Sequence, residues 1–189
     1  MKKIVIFASG SGTNAENIIK YFADAKNGTV VAVFTNRSDA KVIERAQNHQ
    51  VPVVVFSKND LNESKIVQKI NAFRPDLIVL AGFLLKFPQD IIEAYPDKIV
   101  NIHPALLPKY GGKGMYGMNI HRTIVENKEK ETGITIHYVN ENYDEGNIIF
   151  QNKIFLNGDE TPEKIAEMIH ELEQEHFPQI IEKLLTPNP

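Results

Sequence analysis

Asn101 and His103 place a carboxamide and an imidazole two residues apart, just ahead of the proline-rich run Pro104-Ala105-Leu106-Leu107-Pro108. In an extended chain, residues i and i+2 face the same side, so the two groups converge on one small volume while Ile102 packs the other way. An amide can donate a hydrogen bond to a developing oxyanion, and an imidazole can both donate and move a proton. Alone, the pair would equally fit a satisfied loop histidine beside a turn-forming asparagine. A second segment separates these readings. Thr135 to Gly146 carries His137 on a strand-like stretch and then Asp144 in a glycine-containing loop. Amide, imidazole and carboxylate together suit acyl or formyl transfer, in which an oxyanion is stabilised while protons pass from nucleophile to leaving group.

Rival chemistries fit less well. His103, His137 and Asp144 could in principle form a two-histidine, one-carboxylate metal set, but the tight His-x-x-x-His spacing is missing and a metal-free site is expected. No G-x-S-x-G elbow points to a serine hydrolase. The chain has no cysteine, which removes thiolate nucleophiles and cysteine-bound zinc together. His49, His170 and His176 lie in helical stretches beside charged residues and read as solvated, whereas His121 and His137 suit core or supporting roles. A net charge of −3 argues against a general nucleic-acid binder, which would need an extended basic face.

The elements that must hold these groups alternate. Apolar strands over Lys3–Ala8, Thr29–Thr35, Val51–Phe56, Leu77–Ala81 and Ile99–His103 are separated by helices over Asn14–Phe22, Ala40–Asn48 and Leu61–Phe73. Near-continuous apolar strands of this kind belong in a parallel sheet covered on both faces, a Rossmann-like α/β arrangement. A glycine-rich loop over Lys109–Gly117 and a helix over Met118–Asn127 follow. Strands over Gly133–Val139 and Asn147–Phe155 flank the acidic loop and can pair as an antiparallel hairpin. A long helix begins near Thr161-Pro162, where threonine suits an N-cap and proline the first turn. Its apolar positions Ile165, Met168, Ile169 and Leu172 read as core contacts. The 189 residues suit one domain, and a hydrophobic content of 42% indicates an ordinary soluble globular protein. No apolar run could span a bilayer, and Met1-Lys2-Lys3 leads directly into a strand and not a signal-peptide core. A cytoplasmic protein with no membrane partner is therefore expected.

Ser9-Gly10-Ser11-Gly12-Thr13-Asn14-Ala15 joins the first strand to the first helix and matches G-x-G-x-x-A. Glycines admit a close approach by phosphate, and amides at a helix start favour an anion. A dinucleotide site would also place an acidic residue after the second strand, where Thr35-Asn36-Arg37-Ser38 stands instead. NAD is thereby disfavoured and NADP through Arg37 is a minor option. Hydroxyls at Ser11 and Thr13 with the Asn14 amide favour a monophosphate cradle, although such glycines also serve plain strand-to-helix turns.

On these motifs the chain closely resembles the phosphoribosylglycinamide formyltransferases, folate-dependent enzymes of purine biosynthesis. The segments that carry the resemblance are Ala8–Asn14, Leu80–Phe83, Asn101–Tyr110 and Thr135–Gly146. The resemblance implies a single formyltransferase-fold domain over 1–189, with a phosphate-binding half (1–100) and a catalytic and folate-binding half (101–189). It implies transfer of formyl from 10-formyltetrahydrofolate, a co-substrate, to the amine of 5-phosphoribosylglycinamide, with no metal. Asn101, His103 and Asp144 match the catalytic positions. Gly12, Thr13 and Asn14 match the phosphate contacts, and Glu173 matches the glutamate that meets the glycinamide end. Leu84, Leu85, Lys86 and Phe87 match the folate stretch, with Asn101 and loop residues Asn140, Glu141 and Tyr143. Thr135 and His137 are implied to support the catalytic groups. Small-molecule partners and a monomer or homodimer are expected. Leu85 stands where many members carry arginine, and Asn147 where many carry proline. Formyl-folate hydrolysis and a non-catalytic sensor are the alternatives.

Overall fold

The computed structural model describes residues 1–62 and 65–186. Seven strands form one sheet in the order β3-β2-β1-β4-β5-β6-β7. The central strand β1 (Lys2–Phe7) lies between β2 (Gly28–Thr35) and β4 (Leu77–Leu80), and both pairings are parallel. β3 (Val53–Val55) extends the parallel sheet beyond β2, and β5 (Ile99–His103) extends it beyond β4. The direction then reverses, because β6 (Glu131–Tyr138) pairs antiparallel with β5, and β7 (Ile148–Phe155) pairs antiparallel with β6.

Strand composition explains the layering. Ile4 to Phe7 are fully buried, so both faces of β1 must be covered, and two separate apolar layers do this. Ile4, Ile6, Val79, Val100 and Ile102 pack with α1 (Thr13–Asp24), α6 (Met118–Glu126) and α7 (Pro162–Leu185) through Ile18, Phe22, Ile120, Ile165 and Phe177. Val5, Phe7, Phe34 and Ile78 pack with α3 (Lys58–Asn62), α4 (Lys65–Phe73) and α5 (Gln89–Ala94) through Leu61, Ile66, Ile70 and Ile91. α2 (Val42–Asn48) contributes Val42 and Ala46 to the first layer.

The helix expected over Leu61–Phe73 is described as α3 and α4, with residues 63 and 64 outside the described residues. α5 has no counterpart in the sequence reading, since six residues are too few for a helical period to register. Among the described residues no helix is long and apolar enough to cross a membrane.

α7 fixes the position of the site. Thr161 accepts from Lys164 N–H at 3.2 Å and Pro162 fills the first turn, so the helix starts as its composition dictates. Pro178 lies inside it and cannot donate to the Gln174 carbonyl four residues back. Asn17 on α1 takes that carbonyl instead, at 2.8 Å. The repair docks α1 on α7 and brings Asn14, one turn earlier, against Glu173.

Candidate active site

A cleft of about 780 Å³ opens at the carboxyl ends of β1, β4 and β5. Chain connections leave β1 toward β2 on one side while β4 and β5 lie on the other, so this is the switch point where α/β sheets bind ligands. Its lining comes from Gly10–Asn14, Ala81–Leu84, Asn101–Pro104, Gly112–Met118, Tyr143–Asp144 and the inner face of α7.

The β5–β6 register assembles one end of the cleft, setting Asn101 opposite His137 and His103 opposite Thr135. His137 Nδ1 lies 2.8 Å from the Tyr138 carbonyl, which can only accept, so this nitrogen carries the proton. His137 Nε2 is then an acceptor, and Asn101 Nδ2 donates to it at 3.1 Å. That bond settles which way the Asn101 amide faces and leaves its second N–H for a ligand. Burial holds the His137 pKa below its ordinary value, despite the opposing effects of the Tyr138 carbonyl and Asp144. The neutral ring is the form this arrangement requires. By the same logic His103 Nε2 donates to the Tyr110 carbonyl at 2.8 Å, which leaves Nδ1 as the working atom. His103 Nδ1 lies 3.6 Å from Asp144 Oδ2, and His137 Nε2 lies 3.7 Å from Oδ1.

Asp144 is held by its backbone and by the glycine loop. Its φ of 57° is left-handed, a region aspartate tolerates better than most residues. Gly112 N–H donates to Oδ2 at 2.9 Å. Gly146 closes the base of the loop, where a Cβ would come within 1.7 Å of the Tyr138 carbonyl oxygen. The Asn147 carbonyl accepts from Tyr138 N–H at 2.9 Å, so the loop is anchored without proline. Thr135 is buried away from the cleft; it donates to Ala105 O at 2.7 Å and accepts from Leu107 N–H at 3.0 Å. It tethers the chain that follows His103.

At the other end, Gly12 caps α1 with φ 73°, and Thr13 and Asn14 open its first turn. Asn14 Nδ2 donates to Glu173 Oε2 at 2.8 Å, and Gln174 donates to Asn14 Oδ1 at 2.5 Å. The Asn14 side chain thus joins two helices and its backbone N–H remains for an anion. His170 also lines the cleft, 3.4 Å from Glu173 Oε2. The hydrogen bond with Glu173 raises its pKa against the effect of partial burial. From sequence alone His170 reads as a solvated helix residue; its i,i+3 spacing to Glu173 is the signal that points to a paired role. His121 lines the cleft as well, and burial lowers its pKa.

The four-residue stretch after β4 divides. Leu84 is 51% exposed and lines the cleft, its N–H bonded to Ser9 Oγ at 3.0 Å. Phe87 is buried in the aromatic cluster with its ring 5.1 Å from Phe7, and Leu85 packs beside that layer. Lys86 lies over the Tyr143 ring at 5.9 Å. Leu84 and the 40% exposed Tyr143 form an apolar rim suited to a flat ring. Asn140 and Glu141 lie in the loop outside the cleft lining, Asn140 Oδ1 accepting from Asn142 N–H at 3.0 Å. Arg37 donates to Asp39 from Nε and Nη2 at 3.0 and 2.8 Å, so its fork already has an acceptor other than a nucleotide phosphate.

Residues 2–181 match the family model described as formyl transferase. The chain is 38% identical over 182 residues to the chloroplastic phosphoribosylglycinamide formyltransferase of Arabidopsis thaliana, covering 93% of this chain and 62% of the relative. It spans about three fifths of the length of that protein and of its Vigna unguiculata counterpart. It is 34% identical to phosphoribosylglycinamide formyltransferase of Bacillus subtilis, covering 100% of this chain and 97% of the relative. Among solved structures, glycinamide ribonucleotide transformylase 1 of Geobacillus kaustophilus matches with a TM-score of 0.89 at 36% identity, over 98% of this chain and 100% of that one.

Proposed function

The chain belongs to the formyl transferase family, and on that footing we propose that it moves a formyl group from 10-formyltetrahydrofolate to the amine of 5-phosphoribosylglycinamide. The observation that carries this reading is one cleft lined both by Asn101, His103 and Asp144, with the buried His137 against Asn101 and Asp144, and by the open amides of the phosphate loop. Residues 1–100 supply the phosphate loop and residues 101–189 the catalytic groups, with α7 returning Glu173 to the phosphate side. The Gly12, Thr13 and Asn14 amides receive the phosphate, and His170 adds a cation beside them. Glu173 Oε2 is taken by Asn14 and His170, so Oε1 serves the glycinamide end. Leu84 and Tyr143 flank the pterin, and the backbone of the loop over 140–146 reads its edge.

Chemistry follows from the atoms left free. Asn101 donates its second Nδ2 hydrogen to the oxygen that gains charge as the amine nitrogen bonds to the formyl carbon. His103, when protonated at Nδ1, adds positive charge at the same place, with the Asp144 carboxylate 3.6 Å away. As the bond from the formyl carbon to folate nitrogen breaks, His103 gives its proton to that nitrogen. The amine nitrogen, carrying an excess proton after attack, restores it to Nδ1 directly or through a water held by Asp144. His103 Nδ1 and Asp144 Oδ2 lie 3.6 Å apart, close enough for one water beside them to contact both.

One assay separates the alternatives: purified protein with formyl donor, with and without the ribonucleotide. Loss of donor that depends on the ribonucleotide is the expected result. Loss without it would mean hydrolysis, and binding without loss would mean a sensor.

A further inference from the structure

We propose that Arg45, outside the cleft on α2, is the positioning residue that aims the phosphate-loop amides at the ligand, an inference that rests on the ribonucleotide reading above. Arg45 Nε donates to the Ser11 carbonyl at 2.9 Å, and Nη1 donates to Glu16 Oε2 on the first turn of α1. A trans peptide points its carbonyl and the following N–H in opposite directions. Holding Ser11 C=O toward α2 therefore turns Gly12 N–H the other way, into the cleft that Gly12 lines. The same device acts one residue earlier. Val42 N–H donates to the Gly10 carbonyl at 3.2 Å, so Ser11 N–H is turned away from α2 as well.

Among the described residues, neither Ser11 N–H nor Gly12 N–H has an acceptor. Thr13 and Asn14 N–H open a helix and have no intrahelical partner. Four successive amides thus stay open on residues that line the cleft, an arrangement that binds anions through backbone alone. Nothing inside the loop imposes it, since Gly10 and Gly12 are the residues least able to hold a peptide plane. α2 supplies the constraint from behind. A Cβ on Gly12 would lie 2.4 Å from Val42 Cγ2, which shows how closely α2 backs the loop. Glu16 in turn holds the guanidinium, with Lys20 at 3.2 Å and His49 at 3.3 Å also on its carboxylate. The fork matters more than the charge, because two acceptors in different directions must be met at once.

The test uses the full chain with Arg45→Met and Arg45→Lys, titrated with glycinamide ribonucleotide and with its dephosphorylated analogue, alongside steady-state kinetics. Arg45→Met should weaken ribonucleotide binding and raise its KM by about tenfold, the scale of one charge-assisted hydrogen bond. Affinity for the dephosphorylated analogue, kcat and the formyl-folate KM should stay within about twofold. Arg45→Lys, which keeps the charge and reaches one acceptor, should recover only part of the loss. Unchanged ribonucleotide affinity in Arg45→Met, equal loss for both analogues, or full recovery in Arg45→Lys would each overturn the proposal. A wild-type protein that binds both analogues equally would instead remove the phosphate reading, and the role of Arg45 with it. If Arg45→Met does not fold, the Arg45→Lys comparison of the two analogues decides alone.

Discussion

The two ends of the cleft are built from different parts of the chain. At the end proposed to take the phosphate the groups on offer are backbone amides, held from behind by the Arg45 side chain on the Ser11 carbonyl and by Val42 N–H on the Gly10 carbonyl, while the Asn14 side chain ties the first turn of α1 to α7. At the catalytic end the working groups are side chains, and backbone groups do the holding: the Tyr138 and Tyr110 carbonyls fix the two histidine tautomers, and Gly112 N–H fixes Asp144. Such a division suits the tasks. A phosphate stays anionic throughout the working pH range and a fixed set of N–H dipoles can meet it, whereas the proposed formyl transfer needs groups that gain and lose protons. Truncating a side chain should therefore cut turnover at one end, while a change of backbone freedom should cut binding at the other.

The largest expected effect is at the catalytic end. Asn101→Ala and His103→Ala should each lower kcat on the order of a hundredfold or more, with ribonucleotide affinity within about threefold of wild type. Rapid-quench or steady-state assay beside calorimetry separates the two quantities. Near-normal turnover in both folded variants would end the assignment. Asp144→Asn keeps the shape and removes the charge 3.6 Å from His103. Turnover should fall by about tenfold, the low end for a unit charge at this distance in partly solvated surroundings. Collapse of ribonucleotide affinity in that variant would mean that Asp144 organises the whole loop, and the two ends would not be independent.

Gly12→Val tests the other side. Its Cβ would collide with Val42, and φ 73° is a conformation that β-branched residues avoid. Ribonucleotide KM should rise by about tenfold or more while formyl-folate affinity moves little, the cost being local strain of a few kcal/mol. A melting scan should show lower stability too, which adding Val42→Ala partly restores. Equal damage to both substrates would show that the phosphate loop and the folate side move as one unit.

Asn101 and His103 were legible because a strand has a period of two and a proline-rich loop follows. The α/β order was legible because buried strands read as apolar runs. Asp144 could be placed near them only by assuming the hairpin. The structure supplies the reason in Gly146, whose missing Cβ lets the chain pass the Tyr138 carbonyl. Other features gave no local signal. Asn17 completes the Gln174 carbonyl that Pro178 leaves open, a contact between residues 157 apart. Arg45 reads as an ordinary helix surface residue until its distance to Ser11 is known. His170 was masked by its charged neighbours, which made its helix face look merely solvated. Phe87 shows the opposite error of resolution: a matching stretch implies four contacts, whereas burial sends this ring into the core.

The smallest expected effect tests whether side-chain charge contributes at the phosphate end at all. Glu173 raises the His170 pKa mainly through their hydrogen bond. A raised folded-state pKa means that the pair stabilises the fold fully below the unfolded value and loses that contribution as pH rises through the folded one. With a ring 43% exposed, solvent screens the pair and the stability change should be slight. Ribonucleotide binding is the more sensitive readout. Protonated His170 favours phosphate, so affinity should decline by a few-fold as pH rises through its midpoint, at most the scale of an exposed charge pair. The phosphate's own second ionisation, near pH 6 for phosphate esters, works in the opposite sense, so the comparison between variants isolates the histidine. Glu173→Gln should shift the His170 ring titration, followed by NMR, to lower pH and carry the decline in affinity with it. A lower absolute affinity in that variant is expected from the proposed glycinamide contact and is not the quantity read. A midpoint that stays where it was would separate His170 from Glu173. A midpoint that moves while the affinity profile does not would show that the backbone amides hold the phosphate without help from this charge.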